Sequence, residues 1–286
     1  MTSGMIKRQC CFEVRGVTLM TKRTGATLAL ISAAFLLTIS SVSAECPDNP
    51  EALGTSRILT ANPRTFPMVG RAQYRESLRL NKREVVLTFD NGPSYPYTET
   101  ILKTLAAECI KATFFALGSN VAEDPEQLRR IAQDGHTIGT QAYNHVSLTS
   151  LPVADAKKEI DKGLAALSAA LQIDQRATRF FRAPMLQLSP QIARYVVSRG
   201  MMVWGIDVDS RDWNDASEEQ IVAQTMKGLE RFGGGIVAMQ DVQPATARAL
   251  PLLIAELKRQ KYRIVHVVPT QSQARVDSKF APSRNN

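Results

Sequence analysis

Seven short apolar runs, each separated from the next by a longer stretch of polar and helical pattern, constrain this chain more than any other feature. They are "VVLTFD" (85–90), "KATFFALG" (111–118), "HTIGTQAY" (136–143), "TRFFRAP" (178–184), "MMVWGID" (201–207), "GGIVAMQD" (234–241) and "YRIVHVV" (262–268). β-Branched and aromatic residues fill them and Gly, Pro or Asp bound them, the pattern of strands buried on both faces. Between them, Ile160, Leu164, Leu167 and Leu171 recur at helical spacing, as do Leu250, Leu253, Ile254 and Leu257. Pro125 and Pro190 suit a first helical turn, with Asp124 and Ser189 as N-caps, and Gly135 and Gly200 suit left-handed C-terminal caps.

Such alternation predicts an α/β fold with a parallel sheet covered by helices. A doubly wound sheet and a closed barrel both satisfy it. The barrel is favoured because polar residues stand at the C-terminal tips of nearly every run: Asp90, the Gln141–His145 segment, Arg182, Asp207 with Asp209, and Gln240 with Asp241. Barrel enzymes gather their chemistry on that face. A length of 286 residues fits one such barrel, and no G-x-G-x-x-G or P-loop supports a nucleotide reading.

The N-terminus reads as a leader. Lys22 and Arg23 precede an apolar stretch from about Ala26 to Ile39, then Val42-Ser43-Ala44, which predicts a signal peptide over 1–44 cleaved after Ala44. An uncleaved anchor helix is the alternative, although the run is short for a membrane span. Met20 serves as well as Met1 for a start. Glu45 before Cys46 does not suit lipid attachment. The leader carries five basic residues and one acidic, so the formal charge of +8 falls to +4 without it. No Lys/Arg block with interleaved aromatics points to nucleic acid. The expected organisation is a leader (1–44), an extended lead-in (45–83), the barrel (84–269) and a disordered tail (270–286). Cys46 and Cys109 remain after cleavage; one disulfide in an oxidising compartment and two separate thiols are both open.

Five ordered motifs between residues 84 and 268 resemble those of the polysaccharide deacetylases of carbohydrate esterase family 4. "TFDNGP" matches T-F-D-D-G-P, "GHTIGTQAYNH" covers H-[ST]-x-x-H, and "RAP" matches R-x-P. "DSRDW" is an intact D-x-x-D-W, and "AMQD" stands where an apolar strand ends in L-H-D. The resemblance implies a distorted (β/α)7-type barrel and an exported hydrolase that removes N- or O-acetyl groups from amino-sugar polymers. It also implies a zinc-type divalent metal and an acetylated polysaccharide or oligosaccharide as partner, with no membrane span after leader removal. It makes Asp90 the base, Arg182 its orienting partner, Asp209 and Asp241 further members of the catalytic set, and Pro184, Asp212 and Trp213 substrate-binding. His145 keeps a metal position. Asn91 and Gln141 replace the other two ligands, Gln240 replaces the catalytic acid, and Met185 stands where a glycine commonly follows the proline.

Each of those three replacements is a neutral amide. Metal-assisted hydrolysis needs three good ligands and an open position to activate water. Amide oxygens are poor zinc ligands, and glutamine cannot protonate a leaving amine, a contribution of about 10²–10⁴ in rate. A shifted site on Asp90, His145 and Asp241 would consume the base. The plainer readings are an N-cap for Asp90, a satisfied loop histidine for His145, a structural ion pair for Arg182 and ordinary packing for Trp213. The sequence therefore leaves three functions: a deacetylase with a weakened metal site, a non-catalytic glycan-binding barrel, and a purely structural secreted barrel.

Overall fold

The computed structural model describes residues 46–47 and 49–270. The expected leader, and all but the first residue of the expected tail, lie outside the described residues. The strands are β1 (Thr55–Ala61), β2 (Met68–Val69), β3 (Glu84–Asp90), β4 (Thr113–Ala116), β5 (Thr137–Thr140), β6 (Phe180–Phe181), β7 (Met202–Trp204), β8 (Val208–Asp209), β9 (Gly234–Gln240) and β10 (Arg263–Pro269). The helices are α1 (Tyr97–Ala107), α2 (Gly118–Glu123), α3 (Pro125–Gln133), α4 (Val153–Leu171), α5 (Pro190–Ser198), α6 (Glu218–Phe232) and α7 (Pro244–Arg259).

Every strand pairing among the described residues is parallel. The order β3–β4–β5–β6–β7 runs one way round, and β8–β9–β3 closes the circuit from the other. β7 and β8 are two arms of one bent stretch: Met202 and Val203 lie on β6, whereas Val208 and Asp209 lie on β9. The result is a parallel α/β barrel, distorted at that bend. β10 meets β3 at Glu84 and Val85 alone, then runs under the start of β5, where the Thr137 hydroxyl donates to the Val267 carbonyl at 2.7 Å.

Strand alternation sorts the side chains. Val85, Leu87 and Phe89 of β3 pack outward against α1 and α7, while Val86, Thr88 and Asp90 face inward. Phe115, Phe180, Met202, Trp204 and Ile236 join Val86 as an inner plug, with Phe180 and Trp204 rings 4.8 Å apart. Large apolar side chains of this kind contribute roughly 1.5–3 kcal/mol each on full burial. The same inward rows continue upward to Asp90, Arg182 and Gln240, so the plug and the polar mouth are successive layers of one interior.

The helices pack where their stripes dictate. Ile160, Leu164 and Leu167 of α4 and Leu250, Leu253, Ile254 and Leu257 of α7 are buried. Asp124 and Ser189 accept the N3 N–H groups of α3 and α5, and Gly135 and Gly200 follow those helices in left-handed conformation. A capping box of Ser217 and Gln220 starts α6.

The lead-in supplies two strands of its own. β1 extends the sheet on β10, and β2 pairs with β7. A disulfide joins Cys46 to Cys109, so the open question of two thiols or one bridge resolves to the bridge. Asp207, one of the polar residues at the strand tips, is engaged here: it accepts from Arg71 N–H, the Ser77 hydroxyl and Ile236 N–H. Its side chain ties the lead-in to the barrel.

Candidate active site

Asp90 ends β3 on the inward row and is 7% exposed. Directly behind it lies Arg182, with no solvent exposure, its guanidinium 4.2 Å over the Phe115 ring. Arg182 Nη1 donates to Asp90 Oδ1 at 2.6 Å and to Thr88 Oγ1 at 2.7 Å, and Nη2 donates to the Gly205 carbonyl at 3.1 Å. Burial pushes the Asp90 carboxyl above its ordinary range, and the guanidinium opposes that push. Arg182 therefore supports Asp90 from beneath and does not itself line the cavity.

A cavity of about 450 Å³ opens above this pair. Its polar lining is Asp90, Asn91, Gln141, His145, Asp209, Asp212 and Gln240. Its apolar wall is Met185, Leu186, Ile206, Trp213, Ala238 and Met239. Of that wall, only Trp213 and Met185 were singled out from the sequence. Ala238 is legible afterwards as the inward neighbour of Gln240, two residues on in β9. Met239 fills the apolar position of "AMQD", whereas Leu186 and Ile206 carry no motif signal.

Asn91 sits in left-handed conformation, with φ 77°. Its main-chain N–H donates to Gln141 Oε1 at 2.9 Å and to the Phe115 carbonyl at 3.2 Å. Its side-chain Oδ1 is buried and accepts no hydrogen bond. Gln141 thus spends its carbonyl on the backbone of the neighbouring ligand position. His145 is half-buried near Asp90; burial lowers its pKa, and the Asp90 charge works the other way. It is the one imidazole available here. The sequence has three histidines, and the other two, His136 and His266, are buried at the barrel floor. His136 Nδ1 accepts the Ala112 N–H there, and His266 Nε2 lies 2.9 Å from the Thr137 hydroxyl.

The donor set does not fit a three-ligand divalent metal. It offers one imidazole and two neutral amides, one of whose oxygens is already committed. Among the described residues, no three His, Cys, Asp or Glu side chains converge as a ligand group. The shifted arrangement on Asp241 fails for a separate reason. Asp241 lies under the turn, accepting from Gly92 N–H at 2.9 Å and the Thr98 hydroxyl at 2.8 Å, and it does not line the cavity. Burial pushes its carboxyl up to about 7. A Cβ on Gly92 would lie 2.0 Å from Asp241 Oδ2, which explains the glycine.

Asp209 ends β8 and accepts from Arg211 N–H and from the Trp213 indole at 3.3 Å, fixing the ring, which is 55% exposed. Asp212 lines the cavity but also accepts the Gln240 N–H at 2.6 Å and the Thr246 hydroxyl. Burial pushes it up to about 6. Gln240 stands opposite Asp90 in the β3–β9 register. Pro184 is buried after Arg182 and does not reach the cavity. The next two residues do, Met185 and Leu186, both at positive φ (54° and 58°).

The fold and site define the class as a parallel α/β barrel with a buried Asp–Arg pair, an amide-lined mouth and an exposed tryptophan. A family profile for polysaccharide deacetylases matches residues 78–204. A peptidoglycan-N-acetylglucosamine deacetylase of Bacillus cereus is 31% identical over 219 residues, covering 75% of this chain and 77% of that protein. The chain belongs to the polysaccharide deacetylase family. Peptidoglycan-N-acetylglucosamine deacetylase PgdA of Listeria monocytogenes is 30% identical over 73% of this chain, which spans only 43% of that relative's length. Among solved structures, the peptidoglycan deacetylase Bd3279 of Bdellovibrio bacteriovorus superposes with a TM-score of 0.67 and 29% identity, over 80% of this chain and 63% of that one. A mutant of BA3943, titled a CE4 family pseudoenzyme with restored enzymatic activity, superposes at 0.60 with 26% identity over 66% of each chain.

Proposed function

We propose that this chain is an exported deacetylase-family protein that engages an amino-sugar polymer at the mouth described above, with turnover by the metal-assisted route weak or lost. The observation that carries this reading is the hydrogen bond from Asn91 N–H to Gln141 Oε1. The side chain in one ligand position is built into the scaffold of another, and both are neutral. Gln240, in the acid position, has no proton to give a leaving amine. Asp90, Arg182, Asp209 and Trp213 are kept together around a cavity of saccharide size, which favours retained binding over a purely structural barrel. Export is supported by the leader pattern and by the disulfide, which persists in oxidising compartments. The names of the relatives point to peptidoglycan as the polymer to try first.

The test is metal content after dialysis with zinc, acetate release from N-acetylglucosamine oligomers and peptidoglycan, and glycan binding by calorimetry. Substoichiometric zinc, no acetate and saturable binding are expected. Tightly held stoichiometric zinc with acetate release would instead establish an ordinary deacetylase. The triple variant Asn91→Asp, Gln141→His, Gln240→His is expected to gain both zinc and acetate release, since it restores a carboxylate, an imidazole and an acid. The restored BA3943 mutant makes this a reasonable experiment for a related scaffold.

A further inference from the structure

We propose that the carboxamide of Gln141 is a working contact and not the residue of a lost one: its Nε2 donates to the carbonyl oxygen of an acetamido group, so that the cavity grips an acetylated sugar without a metal ion. This rests on the glycan-engaging reading above and specifies the contact that carries it.

Gln141 follows β5 on the inward row, is 3% exposed and lines the cavity. It is held from two sides. Its main-chain N–H donates to the Ala116 carbonyl at 2.9 Å, and its Oε1 accepts the Asn91 N–H at 2.9 Å. The second bond also settles which end of the amide is which. A main-chain N–H needs an oxygen opposite it, so the nitrogen takes the other end. Among the described residues Nε2 has no acceptor, and unlike Asn91 Oδ1 it is not sealed away from the cavity. A side chain more than nine-tenths buried thus turns an unengaged donor into the opening. A donor in so enclosed a place is costly when unmet, and a bound acceptor removes that cost. Decay of a metal site would need none of this anchoring. Any small or apolar residue at this position would remove the ligand, and none would leave a fixed donor behind.

The surroundings say which acceptor fits. Asp90, Asp209 and Asp212 share the lining, and like charge turns away an anion. The acceptor is therefore neutral. In an amino-sugar polymer the amide carbonyl is the strongest neutral acceptor, ahead of hydroxyl and ring oxygens. The same acetamido group carries one N–H, which the lining carboxylates can accept, and a methyl, which suits the wall of Ile206, Ala238 and Met239.

The experiment titrates the intact protein calorimetrically, in EDTA, with an N-acetylglucosamine pentamer and with the glucose pentamer of the same linkage, which has a hydroxyl in place of each acetamido group. The acetylated oligomer is expected to bind roughly tenfold more tightly, and no more tightly when zinc replaces EDTA. Gln141→Glu keeps an acceptor for the Asn91 N–H and removes the donor; Gln141→Met removes the donor without adding charge. Each is expected to bring the two oligomers to within about twofold of one another while leaving the glucose pentamer's affinity unchanged, which a merely structural role would not do. Binding that requires zinc, equal or tighter binding of the glucose pentamer, or a preference that survives in either folded variant overturns this proposal and leaves the glycan-engaging reading standing. Binding of neither oligomer removes both.

Discussion

Arg182 reaches Asp90, Thr88 and Gly205 from a position with no solvent exposure, so its charge is stabilised by those groups, the Phe115 ring and the Asp207 carboxylate rather than by water. Removing one member of such a pair strands the other. Arg182→Met is expected to cost about 3–5 kcal/mol in urea denaturation, and Asp90→Asn added to it is expected to recover part of that loss. Strictly additive costs in the double-mutant cycle would show that the pair is not coupled. Met185 presents the opposite case. It occupies φ 54° where the family's motif commonly has glycine, and a side chain in that conformation costs of order 1–2 kcal/mol. Met185→Gly is expected to leave the melting temperature unchanged or raise it. A clear fall would mean that the methionine's packing on the cavity wall outweighs its strain.

Much of the element order was legible because buried parallel strands and amphipathic helices have different periods. Each of the seven apolar runs contains a strand, and the stripes of α4 and α7 face the core. What stayed hidden depends on tertiary context. The bend that splits 202–209 into β7 and β8 involves the switch from β6 to β9, which no local pattern encodes. The two-residue β2 and the docking of β1 on β10 were masked by the lead-in's irregular polarity. At the site, Asp90, His145, Asp209 and Trp213 were readable from motifs. After Arg182 it is Met185 and Leu186 that line the cavity, and residue order does not reveal which of three neighbours turns toward it. The Cys46–Cys109 bridge spans 63 residues and was undecidable from two cysteines alone. Replacing both with serine is expected to lower stability by about 2–4 kcal/mol in chemical denaturation. Because the bridge lies at the far end of α1 from the cavity, glycan affinity is expected to hold; a matching loss of affinity would link the two ends.

At the scale of the whole molecule, two buried carboxyls and two buried imidazoles among the described residues respond to pH in opposite directions. Burial raises Asp241 to about 7 and Asp212 to about 6, so the folded state keeps protons that the unfolded chain has released above about pH 4. Their effect is to lower stability as pH rises through that window. Burial lowers His136 and His266 to about 4, so the unfolded chain binds the extra protons between about pH 4 and 6.5, and stability rises with pH there. The two trends offset each other until the histidines finish, leaving Asp241 to weaken the fold between about pH 6.5 and 7. Asp241→Asn is therefore expected to gain stability relative to the parent by a few kcal/mol as pH goes from 4 to 8, read from melts in a buffer series. A constant difference across the series would mean that Asp241 titrates normally.

The disulfide and the Gly54 N–H bond to the Glu108 carbonyl place the beginning of the described chain at the end of α1, beside the ends where the barrel strands begin. Anything grafted before Cys46, such as an affinity handle, a bead or a sensor chip, is thus fastened to the base. Immobilised in that way, the protein presents its opening outward to the bulk, and long polymers can enter without meeting the support.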